Sequence, residues 1–127
     1  MKTLEQLKTF EDACEIEGLD PAAVISDFSS FPSRDHVSMI AHCKLVIIVR
    51  AANRLANNGN DWFPNFDDRS QVKWEVWMEK GSSGFRFYDC VGWVAYSYVG
   101  SRLCFVSREV GKYVATQFVE LYNQYFL

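Results

Sequence analysis

The feature that most constrains this chain is its last quarter, Gly100 to Tyr122, where a short strand runs through Ser107 straight into an amphipathic helix. Leu103 and Phe105 take one side of the strand, and Val110, Tyr113, Val114, Phe118, Leu121 and Tyr122 recur at helical spacing. A strand and a helix joined so tightly must lie against each other, which predicts a small sheet with this helix across it. Burying those side chains is worth roughly 9–18 kcal/mol before entropy, at about 1.5–3 kcal/mol each. A serine cap contributes only about 1 kcal/mol. Packing therefore decides that the helix forms, and Ser107 decides where it starts.

Upstream, Val72, Trp74, Val76 and Met78 alternate with Lys73, Glu75, Trp77 and Glu79. Period two predicts a half-buried strand. Gly81-Ser-Ser-Gly84 reads as a hairpin turn and Phe85-Arg-Phe-Tyr88 as the returning strand. Residues 90–100 read equally as a further strand or as an aromatic loop. A long helix is predicted from about Ser33 to Asn58, with Val37, Ile40, Ala41, Leu45, Ile48, Ala52 and Leu55 on its buried face. Val46, Ile47 and Val49 widen that face, the mark of a central helix. Thr3 and Gln6 form a capping box that opens a first helix, and Gly18 is placed to end it. Asp20-Pro21 restarts a short turn, and Phe28 and Phe31 are expected to tuck into the core. The whole is an α+β fold over residues 1–127, read as a single domain. An antiparallel sheet of three or four strands packs against the long central helix and the C-terminal helix, with the N-terminal helix alongside.

A chain of 127 residues is long enough for one core without staples. Its aromatic content of 16% supplies unusually large side chains for that core, or for a surface left to a partner. The net charge of −3 is uneven: residues 1–35 hold eight acids and three bases, whereas 36–58 hold Lys44, Arg50 and Arg54 with no acid. There is no basic run of the kind that binds duplex nucleic acid. Cys14, Cys43, Cys90 and Cys104 lack paired metal-site spacing and read as reduced thiols in apolar surroundings. With no signal peptide and no apolar run near the roughly 20 residues needed to span a bilayer, a cytoplasmic protein without membrane contact is expected.

No motif for chemistry stands out. His36, His42 and Cys43 share one helix, but no pair has the i, i+4 spacing of a zinc helix. Asp61, Asp67 and Asp68 lack the rhythm of a calcium loop. Gly81-Ser-Ser-Gly84 is followed by strand and not by the Lys-Ser and helix of a phosphate loop. No Ser or Cys sits in a recognisable arrangement with either histidine. No catalytic, cofactor-binding or metal residue is assigned.

The phrases Gly18-Leu-Asp-Pro21, Asp27-Phe-Ser-Ser-Phe-Pro32, Ala41-His-Cys-Lys-Leu-Val-Ile-Ile48, Gly81-Ser-Ser-Gly84 and Gly100-Ser-Arg-Leu-Cys-Phe105 carry a resemblance. So do Ser107-Arg-Glu109 and Gln117-Phe118. With them, the chain resembles a family of small uncharacterised proteins of Bacteroides-type gut bacteria and their phages and prophages. The resemblance implies a phage or prophage setting and brings no activity with it. The family's pattern after the long helix looks like Trp-x-Pro-Asp-Trp. Here Trp62-Phe-Pro-Asn-Phe66 has Phe in place of the second Trp, which argues against an indispensable indole there.

If Trp74, Val76, Phe85, Phe87, Leu103 and Phe105 point inward, alternation sends Trp77, Arg86, Tyr88 and Arg102 outward, with Trp93, Tyr96 and Tyr98 from the ambiguous stretch nearby. Exposed aromatics with arginine mark binding surfaces. The expected function is a non-enzymatic module of a phage or prophage that binds a protein partner, or a second copy of itself, on this face. The bland alternative is that residues 90–100 fold over the face and bury it. A second functional reading is single-stranded nucleic acid stacking on the aromatics while Lys73, Arg86 and Arg102 meet phosphates, which the acidic pI disfavours. A third is an enzyme using His36 or His42, which requires a deep pocket reaching one of them.

Overall fold

A computed structural model describes residues 2–94 and 103–127. Its elements are a 3-10 turn, Leu4–Gln6, then α1 (Phe10–Glu17), α2 (Ser33–Ala56), β1 (Lys73–Gly81), β2 (Gly84–Trp93), α3 (Arg108–Gln117) and α4 (Val119–Phe126). The architecture is α+β.

The N-terminus carries two caps where one was expected. The Thr3 backbone N–H donates to Gln6 Oε1 at 2.8 Å, but that box opens only a single 3-10 turn. Thr9 then caps α1: its hydroxyl accepts from the Asp12 backbone N–H at 3.1 Å, and Asp12 Oδ2 accepts from the Thr9 N–H at 3.0 Å. Gly18, at φ +69°, ends α1 in the left-handed region that costs a glycine nothing. Phe31, expected in the core, is exposed and meets Phe28 edge-on at 5.8 Å.

α2 is the central helix. It buries Ala41, Leu45, Ile47, Ile48, Val49, Ala51, Ala52 and Asn53, and its main contacts are with α4, α1 and α3. The two C-terminal helices thus stand between it and the strands, where direct packing on the sheet was expected. The final helix is also divided. Phe118, at φ −109° and ψ 30°, separates α3 from α4 with no glycine or proline to mark the break. Val110, Val114, Phe118 and Tyr122 are nevertheless all buried across it.

Among the described residues the sheet has two strands, not three or four. β1 and β2 pair antiparallel from Lys73↔Trp93 to Gly81↔Gly84. The segment around Phe105 adds one bridge to the other edge of β1, with Phe105 N donating to Trp74 O at 2.7 Å and Trp74 N to Phe105 O at 3.2 Å. α2 holds the same segment from another side. The buried Asn53 side chain donates Nδ2 to Cys104 O, and its Oδ1 accepts from Val106 N, each at 2.9 Å. Ser107 then caps α3, its hydroxyl accepting from Val110 N at 3.3 Å. Strand and helix are joined as tightly as the spacing predicted, and among the described residues the strand is a single bridge. α3 approaches the sheet closely at Gly111, where a Cβ would lie 3.0 Å from Cys90 Sγ and 3.2 Å from the Phe105 ring.

Candidate functional site

The side of the hairpin away from α3 is built by alternation and one irregularity. Val76 and Met78 turn toward the core, so Trp77 between them turns out. Trp77 opposes Asp89 while Met78 opposes Phe87, leaving Tyr88 with no partner residue. That extra residue is a β-bulge, which bends a strand and re-aims its side chains. It lets Phe85 and Phe87 pack against the core before the bulge and Cys90 after it, although their parity differs. Trp77 and Tyr88 are each 53% exposed, with ring centroids 4.8 Å apart and planes inclined by 60°. Beside them Arg86 Nε donates to Glu79 Oε1 at 2.7 Å. Trp93, at the end of β2, is 42% exposed. Tyr96, Tyr98 and Arg102, assigned to the same surface, lie outside the described residues.

Lys73 departs from its expected place. Alternation put it on the outer face to meet phosphates, but it is 2% exposed. Its ammonium donates to Asp68 O at 2.7 Å and lies 5.8 Å from the centre of the Phe66 ring. The connection between α2 and β1 folds back over it, where the Asp68 carbonyl and the Phe66 ring meet the ammonium. Asp68 turns its carboxylate to Ser70, whose hydroxyl and N–H hold it below the usual carboxylate range, with Lys73 adding a smaller pull.

The histidines take separate places. His36 Nε2 donates to Phe31 O at 2.6 Å, closing the turn before α2. His42 stacks on Tyr125 of α4 with centroids 5.2 Å apart, and its Nδ1 is buried with no hydrogen-bond partner among the described residues. His42 also lines a cleft of about 380 Å³ between α2, Leu103 and the Trp62-Phe63-Pro64 stretch. No Ser, Thr or Cys is among the residues lining that cleft; Ser38 shares a neighbouring hollow with His42, and its hydroxyl donates to Tyr125 O at 2.6 Å. All four cysteines are free; Cys14, Cys90 and Cys104 are buried and Cys43 is half-buried. Burial raises the thiols of Cys14, Cys43 and Cys90, which favours their protonated form.

Away from the strands, the basic stretch of α2 meets the acidic N-terminal region. The Glu17 carboxylate, almost wholly buried, accepts from Arg50 Nε and Arg54 Nε at 3.0 Å each, and Arg54 also pairs with Asp61. Part of the uneven charge of the sequence is therefore paired within the fold. Among the described residues no helix is long and apolar enough to cross a membrane.

Comparison with protein-family models, with curated proteins and with solved structures returns no match, so the chemistry of these surfaces carries the functional reading.

Proposed function

We propose that this protein is a non-enzymatic interaction module that binds a protein partner through the outer face of its hairpin, in the phage or prophage setting its sequence resemblance implies. The observation that carries the reading is the Trp77–Tyr88 pair, two large rings in contact with each other and more than half exposed. Tryptophan, tyrosine and arginine are the residues over-represented where interfaces carry their binding energy, and Arg86 stands beside the pair. The rings sit on paired strands, so little ordering entropy opposes their docking. A second copy of the chain is a partner the same surface accommodates. Single-stranded nucleic acid is the weaker reading, since Lys73 is withdrawn from the face and Glu79 neutralises Arg86.

A pull-down from a lysate of a Bacteroides-type host, run with the unaltered chain and with Trp77→Ala and Tyr88→Ala, tests this. Partners retained by the unaltered chain and lost by both variants support it; partners unchanged by both substitutions remove this face as the site. Light scattering on the same samples separates a second copy from a foreign partner. Fluorescence polarisation with labelled oligonucleotides at low salt checks the nucleic-acid reading, which predicts saturable binding that the two substitutions weaken.

A further inference from the structure

The Trp62-Phe-Pro-Asn-Phe66 motif plays no part in the hairpin face, yet the fold holds it firmly. Before it, Arg54 pairs with Asp61, and Asn57 Nδ2 donates to Asp61 O at 3.1 Å. After it, Gln71 Nε2 donates to Phe63 O at 3.1 Å while Gln71 Oε1 accepts from Asn65 N at 2.6 Å. The buried Lys73 then fixes Asp68 and lies against Phe66. Phe66, the position where indole is dispensable, thus serves the lysine, whereas Trp62, Phe63 and Pro64 wall the cleft. Their tethers make that wall pre-formed.

Opposite stand Val46 and Val49 of α2 with Leu103, and the volume of about 380 Å³ falls within the roughly 300–1,000 Å³ usual for small-molecule sites. The polar groups around it are nearly all spent. Asn53 uses both ends of its amide on Cys104 and Val106. Arg50 lies over the Phe63 ring at 4.9 Å and is matched by Glu17 at 3.0 Å and Asp61 at 3.7 Å. Glu17, Arg50, Arg54 and Asp61 together carry no net charge, so the cleft offers no excess cation for a phosphate. What remains is the His42 imidazole. Its Nδ1 is buried with no hydrogen-bond partner among the described residues, and its ring edges the cleft.

The geometry points to a binding site for a small, uncharged, planar aromatic molecule, seated between the Trp62-Phe63-Pro64 wall and the aliphatic side of α2, beside the His42 ring. The site is independent of the hairpin face and survives the failure of that reading.

Indole and 2-naphthol serve as uncharged probes and 2-naphthyl phosphate as the charged one, with the full-length protein followed by NMR. Both uncharged probes should shift the Trp62 indole N–H and the His42 ring signals saturably. Val46→Trp, which fills the cleft from the exposed side of α2, should weaken them at least about tenfold, or 1.4 kcal/mol, without altering circular dichroism. Should that variant misfold, Phe63→Ala removes an exposed part of the wall with the same expected loss. Absence of saturable shifts at Trp62 and His42, or unchanged affinity in the folded variant, overturns the site. Tighter binding of the phosphate probe by about tenfold or more overturns its assignment to uncharged ligands.

Discussion

The amide of Asn53 does the work of a strand neighbour. From the last turn of the core helix it satisfies one carbonyl and one N–H of the segment that bridges to β1. Asn53→Ala withdraws the amide from both groups, at a cost on the order of 1–3 kcal/mol in all; chemical denaturation of the purified variant measures it. Asn123 plays the same part at the hairpin turn, its Oδ1 accepting from Phe85 N at 2.6 Å and its Nδ2 donating to Phe85 O at 2.9 Å. Gly84 lies beneath it at φ +110°, where a Cβ would stand 2.5 Å from Asn123 Oδ1. Gly84→Ala should therefore cost more than the roughly 1 kcal/mol typical of a point mutation, while Ser83→Ala at the exposed turn costs little. Neither asparagine was legible in the sequence. Each side chain acts on backbone 38 to 53 residues away, and no local pattern encodes such a distance. The burial of Lys73 was hidden for a related reason: alternation gives the side of a strand, not what a remote loop lays over it.

At the scale of elements, alternation from Val72 to Glu79 was readable because one face is buried, and the Ser33–Ala56 helix because its apolar residues crowd one arc. The bulge at Tyr88 and the break at Phe118 left no glycine or proline to announce them. The cap on α1 was missed because the Thr3–Gln6 box, equally well formed in sequence, precedes it. That cap predicts a pH signature. The Lys8 N–H, then the Thr9 hydroxyl and N–H and the Lys2 ammonium, hold the Asp12 carboxyl below its ordinary value. A carboxyl lowered on folding adds stability above the ordinary range, near 3.9, and loses it as pH falls through the folded value. The stability gap between the unaltered chain and Asp12→Asn should thus be widest near neutrality and close in acid, measured as thermal midpoint against pH. Tyr122 gives the opposite sign. Burial raises its hydroxyl, with a lesser push from Cys90, and it has no hydrogen-bond partner among the described residues. Its contribution is whole below about pH 10 and drains as pH climbs above that. Tyr122→Phe should flatten the alkaline loss and leave neutral stability equal or higher, since it removes an unsatisfied buried hydroxyl.

For the molecule as a whole, the buried clusters account for the composition that the sequence displayed. The acids of the N-terminal region and the arginines of α2 close on each other through Glu17, and the thiols sit inside or half inside. Alkylation of the native protein should reach Cys43 first, with Cys14, Cys90 and Cys104 reacting only on unfolding; mass spectrometry of the labelled peptides reads the order. The pair of rings on the hairpin is left outside, as are Phe31, Trp93 and Phe126 elsewhere on the surface. Trp77→Ala and Tyr88→Ala each forfeit a ring contact of about 0.5–1.5 kcal/mol and no core packing. Both should fold while losing the partner. The binding surface depends on Trp77 and Tyr88 meeting each other in the open. NMR on the free protein with a paramagnetic co-solute tests that arrangement most directly. The account predicts Overhauser contacts between the two rings and strong co-solute broadening of both. Rings that show no mutual contact, or that are shielded from the co-solute, would contradict it.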